Sequence, residues 1–126
     1  MIDDRRQLVL IADDDPSIRR MLALALEKEG YRTNDARDGG EALAAMRAGQ
    51  VDLVLLDLMM PRVTGWEVLH ERAAAPDLRK IPVIVITAGR GDAVANVPVD
   101  GLCALLPKPF ELDALRALVK SCLDRG

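Results

Sequence analysis

Chemically capable side chains follow four apolar runs in this chain. Asp13-Asp14-Asp15 follows Leu8–Ala12, Asp57 ends Asp52–Asp57, Thr87 ends Ile81–Thr87, and Lys108 comes just after Leu102–Leu106. Gathered in one place, Asp13, Asp14 and Asp57 would repel one another, so either one holds a proton or a cation joins them. Lys108 supplies one positive charge. A hard, oxygen-seeking divalent ion would supply the rest, and Mg2+ suits because it takes a few carboxylates together with waters and phosphate oxygens. A carboxylate in such a setting is a competent nucleophile that can form an aspartyl-phosphate. Mg2+, Lys108 and the Thr87 hydroxyl would then meet the charge spread over the equatorial oxygens of a transferring phosphoryl group.

Positioning these residues requires the runs to be strands of one sheet. Each run is short and nearly continuous in apolar residues, as strands covered on both faces are. Between them the period becomes helical. Asp15 and Pro16 provide a cap and first turn for a helix carrying Ile18, Met21, Leu22 and Ala25, with Gly30 as its stop. Tyr31–Ala36 reads as a weaker strand, and Gly40–Ala48 as a helix ended by Gly49. Trp66–Ala74 reads as a helix with Trp66, Leu69 and Ala73 on one side, and Leu112, Leu115, Val119 and Cys122 mark a last amphipathic helix. Alternating β and α elements predict a doubly wound α/β fold of flavodoxin-like (βα)5 type. Its parallel sheet would have the order 2-1-3-4-5, with helices on both faces. In such sheets ligands bind beyond the carboxyl ends of the strands, which is where all four polar sets fall.

The 126 residues fit one domain, expected to span 1–126 with a core of about 8–123. Aromatics are 2% of the chain, so the core must be aliphatic. The net charge of −3 argues against a basic nucleic-acid surface, so no direct nucleic-acid contact is expected. Residues 1–7 mix acids and bases without an apolar stretch, and no run approaches a membrane span. The expectation is a cytoplasmic chain with no membrane contact. Cys103 and Cys122 lack metal or CxxC spacing and lie in apolar runs, so they are expected to be reduced core thiols. Asp15 is expected to cap its helix, and His70 to be a surface residue.

The motifs Ile11-Ala12-Asp13-Asp14-Asp15-Pro16, Leu55-Leu56-Asp57-Leu58-Met59-Met60-Pro61 with Gly65, Ile86-Thr87-Ala88 and Leu106-Pro107-Lys108-Pro109-Phe110 resemble those of response regulator receiver domains, the CheY-like modules of two-component signalling. The resemblance runs from about Leu8 to Leu123, with the motifs in the family's order. It implies that Asp57 is the phosphoacceptor and that Asp13 and Asp14 hold Mg2+ together with Asp57 and the carbonyl of Met59. It further implies that Thr87 is the switch hydroxyl and that Lys108 contacts a phosphoryl oxygen. A histidine kinase or histidine phosphotransfer protein would be the donor, and a downstream protein the target. Such a domain accepts a phosphoryl group and is not a turnover enzyme.

Two departures from the family pattern touch output. Leu105 stands where the family has Tyr or Phe three residues before the lysine. Residues 90–101 are rich in Gly and Val and broken by Pro98, so the fourth helix is expected to be short or irregular. Two alternatives stay open: a pseudo-receiver that binds protein without phosphorylation, and a receiver excised from a larger regulator or hybrid kinase. An Asp-based hydrolase would want a second acid two residues after the nucleophile, where this chain has Met59.

Overall fold

The computed structural model of the chain describes residues 6–87 and 102–125; the expected irregular helix within 90–101 lies outside them. Strands β1 (Leu8–Ala12), β2 (Arg32–Ala36), β3 (Leu53–Asp57), β4 (Val83–Thr87) and β5 (Leu102–Pro107) form one five-stranded sheet. The order is β2-β1-β3-β4-β5, as expected, and each neighbouring pair is parallel. The described helices are α1 (Pro16–Lys28), α2 (Gly39–Arg47), α3 (Gly65–Ala74), the single turn α4 (Pro76–Arg79) and α5 (Leu112–Arg125). No helix among the described residues is long and apolar enough to cross a membrane.

The continuous apolar strands follow from burial on both faces. Leu10, Ala12, Val54, Leu56, Val83 and Val85 pack against Leu43, Met46, Val68 and Leu69 of α2 and α3. Their neighbours Val9, Ile11, Leu53, Leu55, Ile84 and Ile86 pack the other way, against Leu22 and Leu26 of α1 and Leu115 and Val119 of α5. Each such Leu or Ile side chain, fully buried, contributes about 1.5–3 kcal/mol. The helices begin where their capping side chains direct. Asp15 accepts from the Ser17 amide, Asp38 from the Glu41 amide and Thr64 from the Glu67 amide.

Two features depart from expectation. The first is the cysteine pair, expected as reduced thiols, which instead forms a Cys103–Cys122 disulfide between β5 and α5. The cause lies in the register of β5. Val83 faces Leu102 and Ile84 faces Ala104, so Cys103 is the extra residue of a β-bulge. The bulge turns Cys103 and Ala104 alike toward α5, and Cys103 comes within 5.9 Å of Cys122, Cα to Cα, well inside bridging range. Spacing along the chain could not reveal this, because the two residues are 19 apart and meet only through the fold.

The second is α4 and what holds it. Arg72 is 1% exposed and reaches across from α3. Its Nε donates to the Ile81 carbonyl at 3.0 Å, and its Nη2 to the carbonyls of Arg79 at 3.0 Å and Ile81 at 2.8 Å. It is a clamp for the turn that feeds β4. Burial holds its guanidinium pKa below the usual value. Arg72→Met keeps the stem and removes every donor, stranding part-buried carbonyls. The expected loss is about 2–3 kcal/mol, read as a lower urea midpoint at unchanged slope.

Candidate functional site

Four strand ends build the site. β1 delivers Asp13, which is 2% exposed, and exposed Asp14 follows it. β3 delivers Asp57, 4% exposed. β4 ends at fully buried Thr87, and β5 leads into Lys108. One carboxylate oxygen from each of Asp13, Asp14 and Asp57 lies within 4.8 Å of the others. The Lys108 Nζ stands 3.5 Å from Asp13 Oδ2 and 3.7 Å from Asp57 Oδ2. Sequence reasoning placed these four residues together, and the fold does so.

The remaining oxygens are held by backbone. Asp13 Oδ1 accepts from the Asp15 amide at 2.9 Å, and Asp57 Oδ1 accepts from the Met59 amide at 3.0 Å. Met59 thus borders the site through its main chain while its side chain is 59% exposed. The Thr87 carbonyl accepts from the Lys108 amide at 2.8 Å, which ties the end of β4 to the base of the lysine. The Lys108–Pro109 peptide that follows is cis.

Two further residues act as positioning groups. Arg19, one turn into α1, donates from Nη1 to the Asp13 carbonyl at 2.8 Å and from Nε to Asp35 Oδ2 at 3.0 Å. It braces the acidic turn against β2. The only trace in the sequence is a cation early in a helix, where the helix dipole does not favour one. Gly65 is the other. A Cβ there would lie 2.5 Å from the Asp57 carbonyl oxygen and 2.6 Å from Leu58 Cα, so α3 can begin against the end of β3 only at a glycine. Its amide donates to the Leu58 carbonyl at 3.1 Å.

Burial raises the Asp13 carboxyl pKa above the usual carboxylate value, and the Asp57 charge adds to this. The Asp15 amide and Lys108 oppose both. The folded chain therefore holds its proton on Asp13 to higher pH than the unfolded chain does. Stability from this group is full below the usual carboxylate range and is lost as pH rises through the raised value. Asp13→Asn keeps an acceptor for the Asp15 amide and removes the charge. In chelator at neutral pH it should be more stable than the parent, the difference vanishing as the pH falls below the carboxylate range. Paired denaturation curves across that pH range measure it.

The response regulator receiver domain family model matches residues 9–120. The DNA-binding response regulator MtrA of Mycolicibacterium smegmatis is 37% identical over 127 residues, covering 99% of this chain and 54% of that protein. The response regulator MprA of Mycolicibacterium vanbaalenii is 39% identical over 121 residues, covering 93% of this chain and 50% of its own length. The chain thus spans about half the length of these curated relatives. Among solved structures, a CheY-like receiver domain protein of Methanospirillum hungatei superposes with a TM-score of 0.85 at 28% identity, covering 95% of each chain. The response regulator TrrA of Thermotoga maritima, solved with Mg2+ and BeF, gives a TM-score of 0.81 at 32% identity, covering 92% of this chain and 98% of that one. With its acidic triad Asp13, Asp14 and Asp57 beside Lys108, the chain belongs to the response regulator receiver domains, the phosphoryl-accepting modules of two-component signalling.

Proposed function

We propose that Asp57 is the phosphoacceptor of this receiver. The observation that carries the reading is a buried carboxylate at the end of β3 with an ammonium 3.7 Å from its Oδ2 and two further carboxylates within 4.8 Å. A carboxylate oxygen of Asp57 attacks phosphorus, the bond from phosphorus to the donor breaks, and the product is an acyl phosphate. Lys108 meets the negative charge on the transferring group, and the Thr87 hydroxyl serves a second phosphoryl oxygen. Met59 orients the acceptor through its amide at Asp57 Oδ1.

The donor set fits a hard divalent ion. Asp13, Asp14 and Asp57 supply only oxygens, and one of them, Asp14, is exposed and able to share its ion with water. Mg2+ is the proposed ion, with the Met59 carbonyl as a further ligand; when bound it supplies the positive charge that lets three carboxylates and a phosphoryl group share one edge. The Mg2+ in the TrrA structure is in keeping with this choice. Family membership supports a phosphohistidine donor on a histidine kinase or phosphotransfer protein, a protein target downstream, and a cytoplasmic location. Residues 1–126 make up one receiver unit, either acting alone or as part of a longer regulator of the kind its relatives represent.

Acetyl phosphate with Mg2+, followed by intact mass measurement, tests the reading. One phosphoryl group is expected on the parent chain, and none on Asp57→Asn or in chelator. Lys108→Ala should label about 100-fold more slowly, the usual cost of deleting one charge-stabilising donor. Gly65→Ala, which forces Asp57 and α3 apart, should slow labelling about tenfold or more. A parent chain that takes no phosphoryl group under these conditions would instead support the non-phosphorylated interaction module.

A further inference from the structure

The Cys103–Cys122 bridge sits at the one irregular step of the β4–β5 ladder, and that step decides where Lys108 falls. Leu102 and Leu105 pack on the α2–α3 side of the sheet, while Cys103, Ala104 and Leu106 pack on the α1–α5 side. Strict alternation would have sent Cys103 and Ala104 to opposite faces. The bulge at Cys103 shifts the phase of every later residue in the strand by one. With that shift Ile86 pairs with Leu106 and Thr87 with Pro107, and the next residue is Lys108, whose amide is held by the Thr87 carbonyl. The bridge ties the bulged residue itself to Cys122, which is 2% exposed in α5 among Leu115, Val119 and Leu123.

We propose that this bridge is a reversible thiol–disulfide switch that locks the β5 bulge and thereby sets the position of Lys108 over Asp13 and Asp57. Bridges in reducing compartments are as a rule transient and redox-sensing, and that is the setting proposed above for this chain. Cys103 is the less buried partner and the point of entry. A thiolate of an external dithiol attacks the Cys103 sulfur, forms a mixed disulfide and expels Cys122 as a thiolate, which takes up a proton. The second thiolate of the reductant then displaces Cys103 and the reductant leaves as its own disulfide. The reverse sequence consumes a small disulfide oxidant such as glutathione disulfide and returns it as two thiols. With the bridge open, the bulge is held by ladder hydrogen bonds and apolar packing without a covalent tie, and β5 gains the freedom to relax toward regular pairing.

The test uses the full chain equilibrated in glutathione disulfide or in dithiothreitol. Alkylation and intact mass report the bridge, amide exchange reports β5, Lys108 and α5, and acetyl phosphate with Mg2+ reports the site. The oxidised chain should resist alkylation and be two hydrogens lighter, and the reduced chain should take two alkyl groups. Reduction should speed exchange in β5 and α5 about 10–100-fold, as expected on releasing a closed loop of this size. It should also change the labelling rate of Asp57 several-fold. Cys103→Ser should behave as the reduced chain in both buffers, and if it fails to fold, the reduced parent chain carries the comparison. Two alkylated cysteines in the oxidising buffer would overturn the proposal. So would a bridge whose opening leaves exchange at Lys108 and the labelling rate unchanged. The labelling readout rests on Asp57 as acceptor; if neither redox state is labelled, that reading fails, and exchange at Lys108 still decides the switch.

Discussion

Three carboxylates crowded onto one sheet edge are the constraint to which the rest of the structure answers. Asp13 and Asp57 are almost fully buried, and their oxygens lie close to those of Asp14. Such a cluster tends to push its own strands apart. What opposes this is a sheet covered on both faces, so that β1 and β3 cannot separate without exposing Leu10, Ile11, Leu55 and Leu56. Around that frame, backbone amides, Arg19 and Lys108 each hold one part of the cluster in place. The site is stable because the fold is stiff there, and its charges are left incompletely balanced, so that the triad can hold a cation.

Most of this was legible in the sequence, for a physical reason. Strands buried on both faces write themselves as unbroken apolar runs, and β1 was read at its observed limits, Leu8–Ala12. The ends of those runs then locate Asp13, Asp57, Thr87 and Lys108 on one edge. The start of β4 falls at Val83 and not at Ile81, because an apolar residue there precedes the ladder without joining it. The motifs that carried the family resemblance are those same strand ends, which is why fold and site became readable together.

What stayed hidden depends on contacts across the fold. Arg72 looks like any helix-surface cation until α4 and Ile81 close over it. Arg19 is one of two arginines in its helix, and only its reach to the Asp13 carbonyl distinguishes it. The bridge between Cys103 and Cys122 depends on a bulge, and no pattern of residue types announces a one-residue shift in register. In each case the side chain type was visible and its partner was not.

Gly65 has a mechanical consequence. With no Cβ to space them, the first peptide of α3 rests on the Asp57 and Leu58 backbone, and the loop before it is pinned to α2 where the Gly39 amide donates to the Val63 carbonyl at 2.9 Å. The end of β3, the loop and the starts of two helices therefore form a single gear train on one side of the sheet. On the other side, Asp57 is linked through Lys108 to β5 and, by way of the bulge, to α5. A small displacement at Asp57 thus has two outlets on opposite faces. The stiffness of each is set by a different element: a missing side chain on one face and a sulfur–sulfur bond on the other.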